Sequence, residues 1–474
     1  MSRLMRLMAV LAVFALIAAA CGDDDGGDTT TTTTTAAAGG ETTTTAASGG
    51  DTTTTTAASG GETTTTAAAP SGDPILFAAS LPLTGDFAIP GSKHAAGYEF
   101  CVAEINARGG LLGRPVEVLI EDNRSDPEVA VSQVQRHIDV ENADALLGTF
   151  SSLLTFPAST VANQANMVYP IPSGGALRIW ERGYENIFYF QQNAAELIGF
   201  SPVSMIEYYT GTGVIDPMPT TVAIVHADDF FADAIVKGLV GGEVAIPDSD
   251  VVVTVDGYLE DAGIEAVFVE QWPVPFTDWL TLANSMKNSE AEMVFAATAS
   301  PDEAISLVDA LKTVQYNPKL IWMSQGAQTE FNETLGDASD GVTIHASWHP
   351  LADWEGVLGG QPYSNSDFIN GFTAANGTPP DEDEAIPFAL CQGVEQAIIG
   401  VGSTDNVAMM EWMHARTPAD PVKTILGDFV WDERGLPIDR SLIMVQWQND
   451  VLEFVFPVGE FPGTVDLIYP KPDF

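Results

Sequence analysis

Residues 105–127 read INARGGLLGRPVEVLIEDNRSDP, and within this stretch the chain changes secondary structure twice. Gly109 and Gly110 close a helix, because paired glycines favour backbone conformations that a helix interior excludes. The run 116–120 is apolar at Val116, Val118, Leu119 and Ile120, and has the length of a strand. Asp126 then offers a side-chain oxygen to free backbone N–H groups, and Pro127 falls where a first helical turn needs no N–H of its own. Val131, Val134 and Ile138 continue at helical spacing. Helix, strand and helix in so few residues is the pattern of a parallel sheet covered on both faces.

The alternation extends in both directions. Upstream, 75–79 predicts a strand, followed by a Pro- and Gly-containing loop and a helix with Ala95, Tyr98, Val102 and Ile105 on one face. Downstream, 145–147 and 167–171 predict two strands separated by a helix that starts near Ser151. The series then restarts, with strands at 221–226, 266–270 and 293–297 and helices at 230–240, after Asp278 and after Ser300. Strands at 319–323 and 341–344 and helices at 385–401 and 407–415 complete it. One series makes one open α/β lobe; these elements predict two lobes, with the late ones too many for the second lobe alone.

The 474 residues are 45% hydrophobic and 18% charged, enough to bury more than one core. Arg3 and Arg6 precede an apolar run at 7–17 and then Ala18, Ala19, Ala20 and Cys21, the layout of a cleavable export signal over residues 1–20. The run is shorter than the roughly 20 residues a membrane span needs. Ala-Ala-Ala-Cys resembles the lipobox of bacterial lipoproteins, although Ala18 stands where leucine is usual. The resemblance implies a lipidated Cys21 anchored to the outer face of the cell membrane; the other reading is a signal cut elsewhere beside an incidental cysteine. Residues 21–73 carry blocks such as ETTTTAASGG that have nothing to bury, and predict a disordered linker with a reach of about 40 Å.

Eighteen Lys and Arg face 65 Asp and Glu, a net charge of −47, and loss of Arg3 and Arg6 leaves 16 against 65, or −49. Nucleic acid and anionic lipid are poor partners for such a chain, and solubility outside the cell accounts for the sign. Besides Cys21 there are only Cys101 and Cys391, which exclude a Cys-rich metal site and fit either one bridge or two buried thiols. No G-x-G-x-x-G, P-loop, G-x-S-x-G or H-E-x-x-H pattern falls at a strand–helix junction, so neither catalysis nor a cofactor is expected. His345 and His349 have the spacing of a metal pair but lack an obvious third ligand, and no metal site is expected.

Six stretches resemble the branched-chain amino-acid-binding (Leu/Ile/Val-binding) class of type I periplasmic solute-binding proteins of ABC transporters, across about Pro74 to Phe456. They are SLPLTGDFAIPG at 80–91, the stretch at 105–127, GTFSS at 148–152, PIPSGGA at 170–176, TILGDFVWDERG at 424–435 and IMVQWQND at 443–450. The resemblance implies an α/β protein of two Rossmann-like lobes joined by three crossover strands. Residues 75–197 plus 327–438 would form the first lobe and 198–326 plus 439–474 the second, with a ligand cleft between them. It further implies a monomer that performs no catalysis, captures a small polar solute such as an amino acid or amide, and delivers it to ABC permease subunits. The same fold also serves as a ligand sensor for signalling receptors.

Ligands of open parallel sheets bind beyond the carboxyl ends of the strands, where loops and helix N-termini present unpaired N–H groups. That rule selects Ser151 and Ser152 after one strand, and Ser173, Gly174, Gly175 and Ala176 after the next. Helix capping by Ser151 and a tight turn at the glycines are the purely structural readings of the same residues. The resemblance adds Phe87 in the first loop and an aromatic side chain from HADDFFADA at 226–234, with Phe230 expected in the cleft and Phe231 in the core. Thr298 and Ser300 end the strand 293–297. Asp302 or Glu303 resembles the carboxylate that amino-acid-binding members present to a ligand's ammonium, and Ser300-Pro301-Asp302-Glu303 fits a capping box equally well.

Overall fold

The computed structural model describes residues 70–474 apart from Asp248 and Ser441. The expected export signal, Cys21 and all but the end of the expected linker lie outside the described residues.

In the first lobe, Ile75–Leu81 lies between Val116–Asp122 and Ala145–Leu147, all parallel, and Tyr169–Ile171 pairs in parallel with Ile187–Tyr189. Every residue of Ile75–Leu81 except Leu76 is buried, as expected for a strand covered on both faces. The helix Pro127–Asp139 begins as its sequence dictates, with the Asp126 carboxylate accepting the N–H groups of Glu128 at 2.8 Å and Val129 at 3.2 Å. Helices Ala88–Ala107 and Glu382–Val401 pack together through a disulfide between Cys101 and Cys391, whose Cα atoms are 6.3 Å apart. Of the two readings open for these cysteines, the structure has the bridge.

The second lobe is built on seven strands in the order Val451–Phe456, Ile443–Gln448, Val342–Ala346, Leu320–Met323, Met293–Ala297, Thr221–Ala227 and Glu265–Trp272. The last five are parallel and the first two form an antiparallel edge hairpin. This corrects one expected boundary. Val342–Ala346 pairs with Leu320–Met323, Ile321 opposite Val342, so residues 327–346 belong to the second lobe and the chain returns to the first only after Ala346. The segment 424–435 likewise contributes a small hairpin, Val422–Thr424 with Gly427–Phe429, outside both main sheets. Three crossings join the lobes, near residues 190–199, 347–354 and 430–442.

At the first crossing Glu196 is 1% exposed and accepts the Leu177 N–H on both carboxylate oxygens, at 3.2 and 3.0 Å. Burial pushes its pKa up to about 7, against the pull of the Leu177 bond. Between the ordinary carboxylate range and pH 7 the folded chain therefore holds a proton that the unfolded chain has released, so stability falls as pH rises. We expect the ligand-free protein to lose up to about 3 kcal/mol between pH 5 and pH 8 through this group. Urea unfolding at both pH values should show a flatter dependence for Glu196→Gln, and an unaltered slope would remove Glu196 as the cause.

Candidate ligand-binding site

The carboxyl ends of both sheets face a common cleft that holds about 560 Å³ counted out to its mouth. The first lobe lines it with Phe150, Ser151, Ser173, Tyr189 and Gln191, and the second with Asp229, Phe231, Ala299, Ser324, Gln325 and His345. Ser347, Glu382, Asp383 and Ile386, from the return to the first lobe, complete the wall.

Ser151 caps the helix Ser152–Gln164, its Oγ accepting the Leu154 N–H at 3.2 Å, and it lines the cleft as well. Its φ of 72° and ψ of 151° lie in a region that residues with a Cβ rarely occupy, a strain of about 1–3 kcal/mol that the surrounding fold must hold. Ser173 also reaches the cleft, while its carbonyl accepts the Thr155 hydroxyl at 2.9 Å. Four other expected residues support this wall from behind. Ser152 is fully buried and its Oγ accepts the Ala176 N–H at 3.3 Å, so neither residue presents its side chain to the cleft. The Gly174 carbonyl accepts the Trp180 indole N–H at 3.0 Å, and the Gly175 carbonyl accepts the Ala195 N–H at 2.8 Å. A Cβ on Gly175 would lie 3.0 Å from the Tyr189 hydroxyl and 3.2 Å from the Ala195 nitrogen, so a side chain here would press on the first crossing.

In the second lobe Phe231 lines the cleft while also packing against the core, and Phe230 is not a core residue. Asp229 caps the helix Phe230–Val240 by accepting the Phe231 N–H at 2.8 Å and the Ala232 N–H at 3.3 Å, and this first turn aims Phe231 into the cleft. Phe230 points instead across the gap, 4.2 Å beneath the Arg178 guanidinium and edge-on to Phe156 at 6.0 Å. Thr298 is fully buried and exchanges hydrogen bonds with Ser324, and the neighbouring Ala299 forms the cleft surface.

Glu303 does not enter the main cleft. Its carboxylate accepts the Trp272 indole N–H at 2.9 Å and the Ala299 N–H at 2.7 Å, and burial raises its pKa against these bonds. It reaches back one residue beyond Ser300, whose own Oγ caps the helix Pro301–Thr313. Ser300, Glu303 and Phe87 line a second pocket together with Asp86, Phe276, Trp279 and Asp302, and Ala299 borders both pockets. His345 and His349 diverge: His345 lines the cleft, whereas His349 Nε2 lies 3.0 Å from the Leu452 carbonyl.

The lobes touch on both sides of the cleft. Lys93 pairs with Glu330 at 2.8 Å, Gln328 donates to Asp383 at 2.9 Å, and Arg178 pairs with Asp233 at 3.2 Å. The conformation is therefore closed.

The sequence matches the family described as "Periplasmic binding protein" over residues 74–451. It is 24% identical over 382 residues to Leu/Ile/Val-binding protein homolog 7 of Brucella suis, covering 79% of this chain and 90% of that one. An amino acid binding protein of Pseudomonas aeruginosa is similar to the same extent, 24% over 382 residues, with the same coverage of 79% and 90%. Among solved structures, the branched-chain amino acid substrate-binding protein LivJ of Streptococcus pneumoniae, in complex with isoleucine, superposes with a TM-score of 0.66 at 17% identity. That superposition covers 84% of this chain and 100% of LivJ. A solute-binding protein of R. palustris in complex with benzoate gives 0.66 at 18% identity, over 85% and 98% of the two chains. With the family match spanning most of its length and both lobes in place, the chain belongs to the periplasmic binding protein family.

Proposed function

We propose that this chain is the extracytoplasmic substrate-binding lipoprotein of an ABC importer, which closes its lobes on a small polar solute and presents the closed form to a membrane permease. The observation that carries this reading is the composition of the cleft: Ser151 and Ser173 stand on one lobe, Phe231, Ser324 and Gln325 on the other. A solute between them makes contacts in the closed state that an open state lacks, and only such a difference in affinity shifts the balance between states. The amino-acid-binding relatives and the benzoate-bound neighbour support a small organic solute. The N-terminal signal and the Cys21 motif support an anchored, extracytoplasmic placement, and the function needs no catalytic group.

Thermal unfolding against amino acids, amides, amines and small aromatic acids tests the proposal. One chemical class should stabilise the protein, by about 2.7 kcal/mol at a concentration of 100 Kd. Unchanged melting across all of these classes would contradict it.

A further inference from the structure

We propose, resting on the reading of the cleft as the solute site, that the solute carries a net positive charge, an ammonium or guanidinium group held against Glu382, Asp383 and Asp229. Neither the cleft nor the pocket that adjoins it at Ala299 has a lysine or arginine in its wall among the described residues. Asp383 is 4% exposed and Asp229 8%, and Glu382 reaches the cleft with only Oε2 engaged among the described bonds, by the Ser347 N–H at 2.9 Å. Carboxylates removed from water need a compensating charge.

Asp229 has the Arg178 guanidinium near it, whereas the balance around Glu382 and Asp383 lacks a free cation. On the helix Glu382–Val401 and at its cap stand Asp381, Glu382, Asp383 and Glu384, with Glu330 facing them from the second lobe. The one cation among them is Lys93, already paired with Asp381 and Glu330. His345 faces the same cleft from the sheet of the second lobe, 8% exposed, with Nδ1 buried and unpartnered. Burial lowers its pKa to about 3, so it supplies no positive charge. The neighbouring pocket repeats the chemistry with Asp86, Asp302 and Glu303 beside Phe87, Phe276 and Trp279, and aromatic faces also attract cations. Among the described residues no three His, Cys, Asp or Glu side chains converge as a metal site.

In the ligand-free closed cleft, burial and the neighbouring acids raise Glu382 well above the usual carboxylate range and Asp383 to about 7, with Lys93 opposing. Binding of a cation requires these groups ionised, so it expels protons.

Calorimetric titration of the full chain with lysine, arginine, putrescine, leucine and benzoate tests the inference. At pH 8 at least one of the three cations should bind at least tenfold more tightly than leucine or benzoate. Its affinity should fall at least tenfold at pH 6, as release of the Asp383 proton near pH 7 alone requires. Glu382→Gln and Asp383→Asn should each weaken it tenfold or more while melting, without ligand, no lower than the unaltered protein. Binding of leucine or benzoate with all three cations silent would overturn the inference and leave the solute-binding function standing. Cation binding that ignores pH, or that survives both substitutions, would overturn it too, and silence from all five compounds counts against the inference and the proposed function together.

Discussion

Reductant added to the protein lowers the free energy of unfolding by about 2–4 kcal/mol, and replacing Cys101 and Cys391 together by serine lowers it by somewhat more. The bond ties residues 290 positions apart, so it closes a loop that contains the whole parallel sheet of the second lobe. Without it, the unfolded chain regains the freedom lost in closing that loop, while the folded contacts between Ala88–Ala107 and Glu382–Val401 remain. Both cysteines are fully buried, so the serine hydroxyls add a desolvation cost that reductant does not, and comparing the two treatments separates the terms. Urea unfolding with and without dithiothreitol is the measurement. Two titratable thiols in the oxidised, unfolded protein, or no effect of reductant, would contradict the bridge.

Phe231→Ala weakens solute binding by about 30- to 150-fold, the roughly 2–3 kcal/mol of a buried aromatic contact, and Phe230→Ala weakens it less. The two act differently. Phe231 lines the cleft, where the proposed solute would pack on it, whereas Phe230 joins the lobes through Arg178, an interaction of about 0.5–2 kcal/mol that would affect affinity by changing how much closed form is present. Titration of both variants with the stabilising solute decides it: a larger loss at Phe230 would reverse the assignment.

The strand and helix alternation was legible because local chemistry enforced it, as at Asp126, where one carboxylate and one proline start a helix wherever the chain is placed. The lobe that owns Val342–Ala346 was not legible, since VTIHA suits any buried strand and only its pairing with Leu320–Met323 decides. Phe230 and Phe231 differ by one step of about 100° around a helix, and the Asp229 cap fixes which of them faces inward. At the start of its helix Ser152 was indistinguishable from Ser151, yet its hydroxyl turns toward the Ala176 N–H. Ser324, Gln325 and Ser347 follow strands and could have been found by the rule that selected Ser151. Glu382 and Asp383 gave no such signal, because an acidic run before an apolar helix reads as capping. Asp381 and Glu384 do form that capping box, and the two residues between them reach the cleft, where the Ser347 N–H and Gln328 engage them.

Amide hydrogen exchange with and without the stabilising solute tests most directly whether two lobes grip one guest. Simultaneous protection of the backbone at Ser151 to Leu154 on one lobe, and at Phe231 and Ser324 to Gln325 on the other, is the predicted result. Protection confined to a single lobe, or absent from both at saturating solute, would contradict it.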